Sequence, residues 1–313
     1  MSALYISSAP HSGSTLLDMV LGNLPGFFST GELVMLPFEY HADRLCTCGS
    51  PVRRCDWWRG CLDEIDPGLQ LDPSGQLRGW HLGWIQNAVH REGFLTEAYA
   101  RQCSRAHHMR LLEYSLRLPT LHALSGRYYH QGIAETARLY RVISRRARGA
   151  TVIDSTKHYL RALDLYRSGE VDGGMKIINL VRDGRAVFAS MLRHGFSEAR
   201  SLQVWKNHNQ RSTAFFARHV RDQDLVTVRY EDLVQDTEAT LAKVLAMTGH
   251  SHDLVKAWNQ PKVHHNVNGN DTRFGQTFKL LLDERWKTQL SEAQLSRFHS
   301  ECGSLNMSLG YSV

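Results

Sequence analysis

The residues best suited to chemistry stand near the start of the chain, in Ser7-Ser8-Ala9-Pro10-His11-Ser12-Gly13-Ser14-Thr15-Leu16-Leu17. A loop joining an apolar strand to an amphipathic helix points backbone N–H groups at an anion, and the helix dipole adds favourable potential there. Ser12, Ser14 and Thr15 add hydroxyl donors, while Gly13 permits close backbone approach or a positive φ. The pattern is not a Walker A loop, because Pro10 through Thr15 hold one Gly and no Lys. ATP-dependent kinase chemistry would therefore lack its usual phosphate-neutralising lysine. Taken alone, such a loop is as readily an ordinary Ser/Gly-rich helix cap.

A second segment changes that balance. Ile177-Ile178-Asn179-Leu180-Val181-Arg182-Asp183-Gly184-Arg185 runs on through Ser190 as another strand, loop and helix. Arg182 ends the strand and Ser190 follows two helical turns later. Arginine offers a forked donor suited to phosphate, and serine a short hydroxyl donor. Two anion sites at the carboxyl ends of parallel strands point to one ligand with two separated phosphates.

These residues need a sheet to hold them. Leu4–Ser8, Thr151–Ile153, Met175–Val181 and Leu225–Arg229 are nearly continuous apolar runs, as expected of strands covered on both faces. Helical periodicity follows three of them, over Ser14–Leu21, Gly184–Arg193 and Thr237–Met247. The alternation predicts an α/β fold with a P-loop-like, mostly parallel central sheet flanked by helices. Residues from about 45 to 148 break the rhythm with a Cys-, Pro-, Gly- and Trp-rich loop and then polar, helix-leaning sequence. We read them as a helical lid insertion carrying acceptor-specific surface, within a single domain spanning 1–313.

The motifs together resemble the PAPS-dependent sulfotransferase family, and in particular its bacterial members related to carbohydrate and tyrosylprotein sulfotransferases. Pro10-His11-Ser12-Gly13-Ser14-Thr15 is similar to the family's 5′-phosphosulfate loop, and Val181-Arg182-Asp183 with Ser190 to its 3′-phosphate motif. Val228-Arg229-Tyr230-Glu231-Asp232-Leu233 resembles its Arg-Tyr-Glu-Asp-Leu strand end. His265-x-x-x-Gly269-Asn270-x-x-Arg273-Phe274 resembles a late loop of many bacterial members, as does the stretch from Cys46-x-Cys48-Gly49 to Trp57-Trp58. The matches span roughly residues 3–310.

The resemblance implies transfer of a sulfuryl group from PAPS (3′-phosphoadenosine 5′-phosphosulfate) to a hydroxyl on a carbohydrate, lipid or secondary metabolite, releasing PAP. It implies that His11, Ser12, Gly13, Ser14, Thr15 and Leu16 hold the 5′ end, and that Arg182 and Ser190 hold the 3′-phosphate. It also implies that Tyr230 contacts the cofactor, that Arg273 adds a second donor to the 3′-phosphate, and that Gly269 and Asn270 shape that late loop. Glu32, in Ser29-Thr30-Gly31-Glu32, is the expected general base, with His130 next in line. Lys157, in Asp154-Ser155-Thr156-Lys157, is expected to stabilise sulfonate oxygens. His11 departs from the family pattern, which carries Lys or Arg there to contact the leaving oxygen. A histidine can donate that hydrogen bond, but its charge depends on pH. Trp205 reads as a helix-core residue rather than an adenine contact. Hydrogen-bond donors suffice for such transfer, so no metal is expected in the reaction.

Composition limits the alternatives. The formal net charge is +6, yet Lys and Arg form no block typical of nucleic-acid or lipid-binding tails. No apolar run approaches the ~18 residues that span a bilayer. The first residues lack the basic region of a signal peptide, so a cytoplasmic protein is expected. Cys46, Cys48, Cys55 and Cys61 crowd into 16 residues and invite a zinc reading. Their spacings are not a standard paired-knuckle pattern, so buried thiols are the preferred reading. His107-His108 and His264-His265 lack metal-site spacing, and most of them read as surface or lid residues. Two other function classes stay open: a P-loop-like phosphotransferase, and a non-catalytic nucleotide-binding module.

Overall fold

The computed structural model describes residues 2–65, 82, 127–275 and 280–312. Chain order begins with strand β1 (Ala3–Ser8), helix α1 (Ser14–Asn23), strand β2 (Phe27–Ser29) and the short helix α2 (Leu36–His41). Helices α3 (Asp56–Ile65) and α4 (Arg127–Arg146) precede strand β3 (Thr151–Lys157) and helix α5 (Tyr159–Ser168). Strand β4 (Met175–Val181) leads to α6 (Gly184–Arg193) and α7 (Glu198–His219), and strand β5 (Leu225–Arg229) to α8 (Tyr230–Gln235) and α9 (Thr237–Thr248). The short α10 (Trp286–Gln289) and α11 (Glu292–Ser308) close the chain.

The five strands form one sheet in the order β2-β3-β1-β4-β5, and every pairing is parallel. The apolar runs become strands because both faces are covered. Along β1, Ala3 and Tyr5 join a core cluster with Trp58, Tyr140 and Phe216, whereas Leu4 and Ile6 join one with Leu17, Leu21, Leu241 and Leu245. Period-2 alternation thus feeds two cores from one strand. Leu4 and Ile6 are fully buried, so truncating either to Ala should cost about 2–5 kcal/mol. A third cluster packs α6, α7 and α11 together through Val187, Phe188, Trp205 and Phe298.

The four strands and three helices predicted for the α/β alternation are present, with ends shifted by a few residues. β3 differs most, running four residues past Ile153 to Lys157. Its register against β1 slips between Tyr5 and Ser7, so that Tyr5 faces Asp154 but Ser7 faces Lys157. This bulge is what turns the end of β3 toward the loop after β1. Within the stretch read as a lid, α3 and α4 bury Trp58, Leu62, Tyr140 and Ile143 in the same core as the sheet. Residues 66–81 and 83–126 of that stretch, including Trp80, Trp84 and His107-His108, lie outside the described residues.

Candidate active site

The carboxyl ends of β1 and β3, with side chains from α6 and α7, line one cleft of about 650 Å³, bounded among others by His11, Gly13, Thr15, Glu32, Lys157 and Asn270. The wall nearest β1 is the loop Ala9–Gly13. Its backbone takes left-handed values at His11 (φ 62°) and Gly13 (φ 91°) before α1 begins. A Cβ on Gly13 would meet Tyr230 Cδ2 at 2.4 Å, so a glycine is needed for both conformation and space. No side chain caps the first turn of α1, which leaves its N–H groups and positive dipole end facing the loop. Ser8 and Ser12 are buried, and neither hydroxyl has a hydrogen-bond partner. An unmet buried hydroxyl costs about 1–3 kcal/mol, which an incoming anion would recover.

Arg182 lies beside this loop, 7% exposed. Its Nη1 donates to the His11 carbonyl at 2.9 Å and its guanidinium stacks 4.3 Å from the Tyr230 ring centroid. Trp205, buried in α7, donates from Nε1 to the Arg182 carbonyl at 3.3 Å. Trp205 is thus a core residue, as expected, and it also holds the strand end that bears Arg182. Asp183 caps α6 by accepting from Arg185 N, and its own N–H donates to Glu231 Oε1 at 3.1 Å. Glu231 also accepts from the Tyr311 hydroxyl at 2.7 Å. The Arg229-Tyr230-Glu231-Asp232 segment therefore braces the turn that presents Arg182.

Ser190 Oγ lies 3.3 Å from His11 Nδ1, joining the two anion-binding segments directly. The His11 ring also sits 4.5 Å from that of His194. Burial, reinforced by His194, Lys157 and Arg182, lowers His11 to a pKa of about 4, so the ring is neutral near pH 7. Asp283 faces the same cluster. Its carboxylate accepts from Arg182 Nη2 at 3.2 Å and from Arg285 Nε at 2.7 Å, with Arg193 Nη2 at 3.8 Å. The Arg285 hydrogen bonds hold this carboxyl well below the usual carboxylate range.

Glu32 and Lys157 form an ion pair through Oε1 and Nζ, each side chain about one-fifth exposed. Lys157 adopts φ 76°, a strained value for a side-chain-bearing residue and one concentrated at functional sites. Glu32 does not lie on β2; it follows the left-handed Gly31 at the head of a short 3-10 turn. Two buried acids set this geometry. Asp154 accepts from Thr156 N at 2.9 Å and from Tyr140 at 2.7 Å, fixing the β3 bulge. Asp18 Oδ2 accepts from Ser29, Gly31 N and Asn266 Nδ2 at 2.8, 3.2 and 2.7 Å. Burial raises Asp18 to about 8.

The remaining expected residues divide. Gly269 and Asn270 line the cleft, Gly269 with φ 103° and space for no more than a Cβ in tight contact, 3.2 Å from Thr15 Oγ1. Asn270 caps the 3-10 turn Asp271–Phe274. Arg273 does not contact the Arg182–Ser190 pair; its Nη2 donates to the Leu45 carbonyl at 3.3 Å, with Nε and Nη1 buried and without hydrogen-bond partners. The Leu16 side chain packs against the apolar core, leaving its main chain as what it offers an anion. His130 lies on α4 and does not line the cleft, whereas His158 and His208 do. Burial lowers both of these to about 3.

The cysteine cluster is not the quartet considered from sequence. Cys46, Cys48 and Cys55 meet His265, all four ligand atoms lying within 4.8 Å of one another. Cys61 is buried apart from them in the core. His264 is likewise no surface residue: it is buried, with Nε2 2.8 Å from Asn23 Oδ1.

Comparison with known proteins agrees with this architecture. No match was found among curated proteins. The sulfotransferase domain of the Synechococcus PCC 7002 olefin synthase superposes with a TM-score of 0.56 at 21% identity, covering 100% of this chain and 96% of that one. The sulfotransferase domain from the curacin biosynthetic pathway gives 0.51 at 19%, covering 96% and 97%. A sequence model described as the sulfotransferase family matches residues 76–253, more than half of the chain and a range that begins after the glycine loop. The family model covers more than half of the chain, and the chain belongs to the sulfotransferase family.

Proposed function

We propose that the chain moves a sulfuryl group from PAPS to an acceptor hydroxyl and releases PAP. The observation that carries this reading is the joined pair of anion seats: an uncapped helix start with unmet Ser8 and Ser12 hydroxyls, bonded through His11 to Arg182 and Ser190. When bound, PAPS supplies the activated sulfuryl group and a phosphate-ester leaving group. The protein supplies position and charge. Donors from the Ser12–Thr15 loop suit the 5′-phosphosulfate, and Arg182 with Ser190 suits the 3′-phosphate. A 3′-phosphate there would take over the Arg182 donor that Asp283 now holds.

Glu32 is the general base of this proposal, taking the acceptor's proton, and Lys157 both holds that carboxylate and neutralises sulfonate oxygens. His11 donates to the leaving oxygen. Because the ring is neutral when the site is free, the proton that makes it a cation must arrive with the anion. Apolar Val34, Met35, Phe196 and Val204 share the cleft with Arg200 and Arg211, which favours an acceptor with an apolar body.

Differential scanning with PAP against ATP–Mg²⁺ tests the donor class. PAP should raise Tm while ATP–Mg²⁺ should not, and the reverse would favour a phosphotransferase. Turnover of Glu32→Gln tests the base. Wild-type rates in that variant would move the role to His208 or His158, the neutral histidines of the cleft.

A further inference from the structure

We infer that Cys46, Cys48, Cys55 and His265 form a closed, four-coordinate zinc site that fastens the cysteine loop to the late segment bordering the active-site cleft. The distances carry the assignment. Cys55 Sγ lies 3.7 Å from Cys48 Sγ and 3.8 Å from Cys46 Sγ, and His265 Nδ1 lies 3.3 and 3.8 Å from Cys55 and Cys46. A tetrahedron built on Zn–S of about 2.3 Å and Zn–N of about 2.0–2.1 Å has edges of about 3.8 Å between sulfurs and about 3.5 Å from sulfur to nitrogen. A disulfide needs sulfurs at about 2.05 Å and would account for only two of the thiols. Three soft sulfurs with one imidazole nitrogen select zinc over hard cations. Four protein ligands leave no open position, so the site is structural and separate from the transfer chemistry.

The surroundings are built to hold these ligands. Gly49, with φ 89°, closes a turn in which its N–H donates to the Cys46 carbonyl at 2.9 Å. The His265 ring stacks 5.5 Å from Trp57 at 15°. Asn266 N donates to Thr47 Oγ1 at 2.8 Å, so the two ligand segments are paired even beyond the ligands. Val267 then pairs with the segment bearing the proposed base: its N–H donates to the Thr30 carbonyl, and Glu32 N donates to the Val267 carbonyl at 3.0 Å. The metal therefore anchors the far end of a strap that runs from the cysteine loop through Val267 to Asn268–Asn270.

The test uses the full-length protein purified without chelator. Elemental analysis should find a single zinc per chain, and cobalt substitution should give the intense visible bands of a tetrahedral site with thiolate charge transfer. Cys48→Ser and His265→Asn should each weaken zinc retention by at least about tenfold, while Cys61→Ser should not. Should either ligand variant fail to fold, the wild-type thiols decide. Cys46, Cys48 and Cys55 should resist alkylation until a strong chelator is added. Folded wild-type protein that takes up neither zinc nor cobalt, or whose thiols react equally with and without chelator, overturns the assignment. Metal content is read without PAPS or acceptor, so this outcome is independent of the proposed activity.

Discussion

Lowering the pH from 7.5 to 5 should strengthen PAP binding through His11, and replacing that residue with Asn should abolish this component. The free ring has a pKa of about 4 because it is buried beside His194, Lys157 and Arg182. A bound phosphate next to the ring would return it toward its ordinary value of about 6.5. The complex then takes up a proton that the free protein does not hold. With those two values, protonation favours binding about 30-fold more at pH 5 than at pH 7.5, or about tenfold once solvent screening of a half-buried ring is allowed for. The assay is isothermal titration with PAP in buffers of different ionisation enthalpy, for wild type and His11→Asn. PAP itself loses charge in this range, but that loss is common to both proteins and cancels in the ratio of their Kd values. That ratio should rise about tenfold between pH 7.5 and 5, with more protons taken up on binding by the wild type than by His11→Asn. A ratio independent of pH would refute the reasoning. The sign for folding is the opposite: a His held below its usual pKa lends stability above about 6.5 that is lost as pH falls toward 4, so the titration should stop at pH 5.

Other outcomes follow from the same geometry. Arg182→Lys loses the fork that reaches the His11 carbonyl, and should weaken PAP binding roughly 100-fold by calorimetry. Asp283→Asn removes the carboxylate that occupies Arg182, and should tighten PAP binding roughly tenfold; unchanged or weaker binding would show that Asp283 does not compete with the ligand. Gly13→Ala must force a left-handed alanine against Tyr230, and should cost at least about 2 kcal/mol in denaturant unfolding and abolish PAP-induced stabilisation. Asp18 is raised to about 8, so its buried acid form favours the fold below the usual carboxylate pKa and that support fades as pH rises through about 8. Asp18→Asn should therefore gain Tm relative to wild type at pH 8–9 and not at pH 5; equal pH profiles would contradict this.

The sequence made the local units legible and left the long-range ones dark. Strands buried on both faces and the helices after them show in apolar periodicity, because each is decided by neighbours within a few residues. The two anion loops were readable for the same reason: each is a contiguous strand-loop-helix segment. What sequence could not supply was partnership across the chain. Asp283 reaches Arg182 from 101 residues away, and Asn266 reaches Asp18 from 248. No spacing rule connects them. Proximity in sequence groups Cys61 with the other cysteines, yet α3 turns it into the core while His265 comes from 210 residues beyond Cys55. His264 and His265 read as surface residues because adjacent histidines carry no periodic signal. The β3 bulge that aims Lys157 is a one-residue slip in register, which composition does not reveal.

The central claim is that two joined anion seats and the Glu32–Lys157 pair together transfer sulfate. The most direct measurement is an acceptor screen with sulfur-labelled PAPS, run on wild type, Glu32→Gln and Arg182→Lys. The account predicts label on a hydroxyl acceptor with stoichiometric PAP release in wild type. Glu32→Gln should bind PAP normally yet lose transfer by at least about 100-fold, and Arg182→Lys should fail at the binding step. Tight PAP binding with no label transferred to any acceptor, and no difference between wild type and Glu32→Gln, would contradict it and leave a nucleotide-binding module in its place.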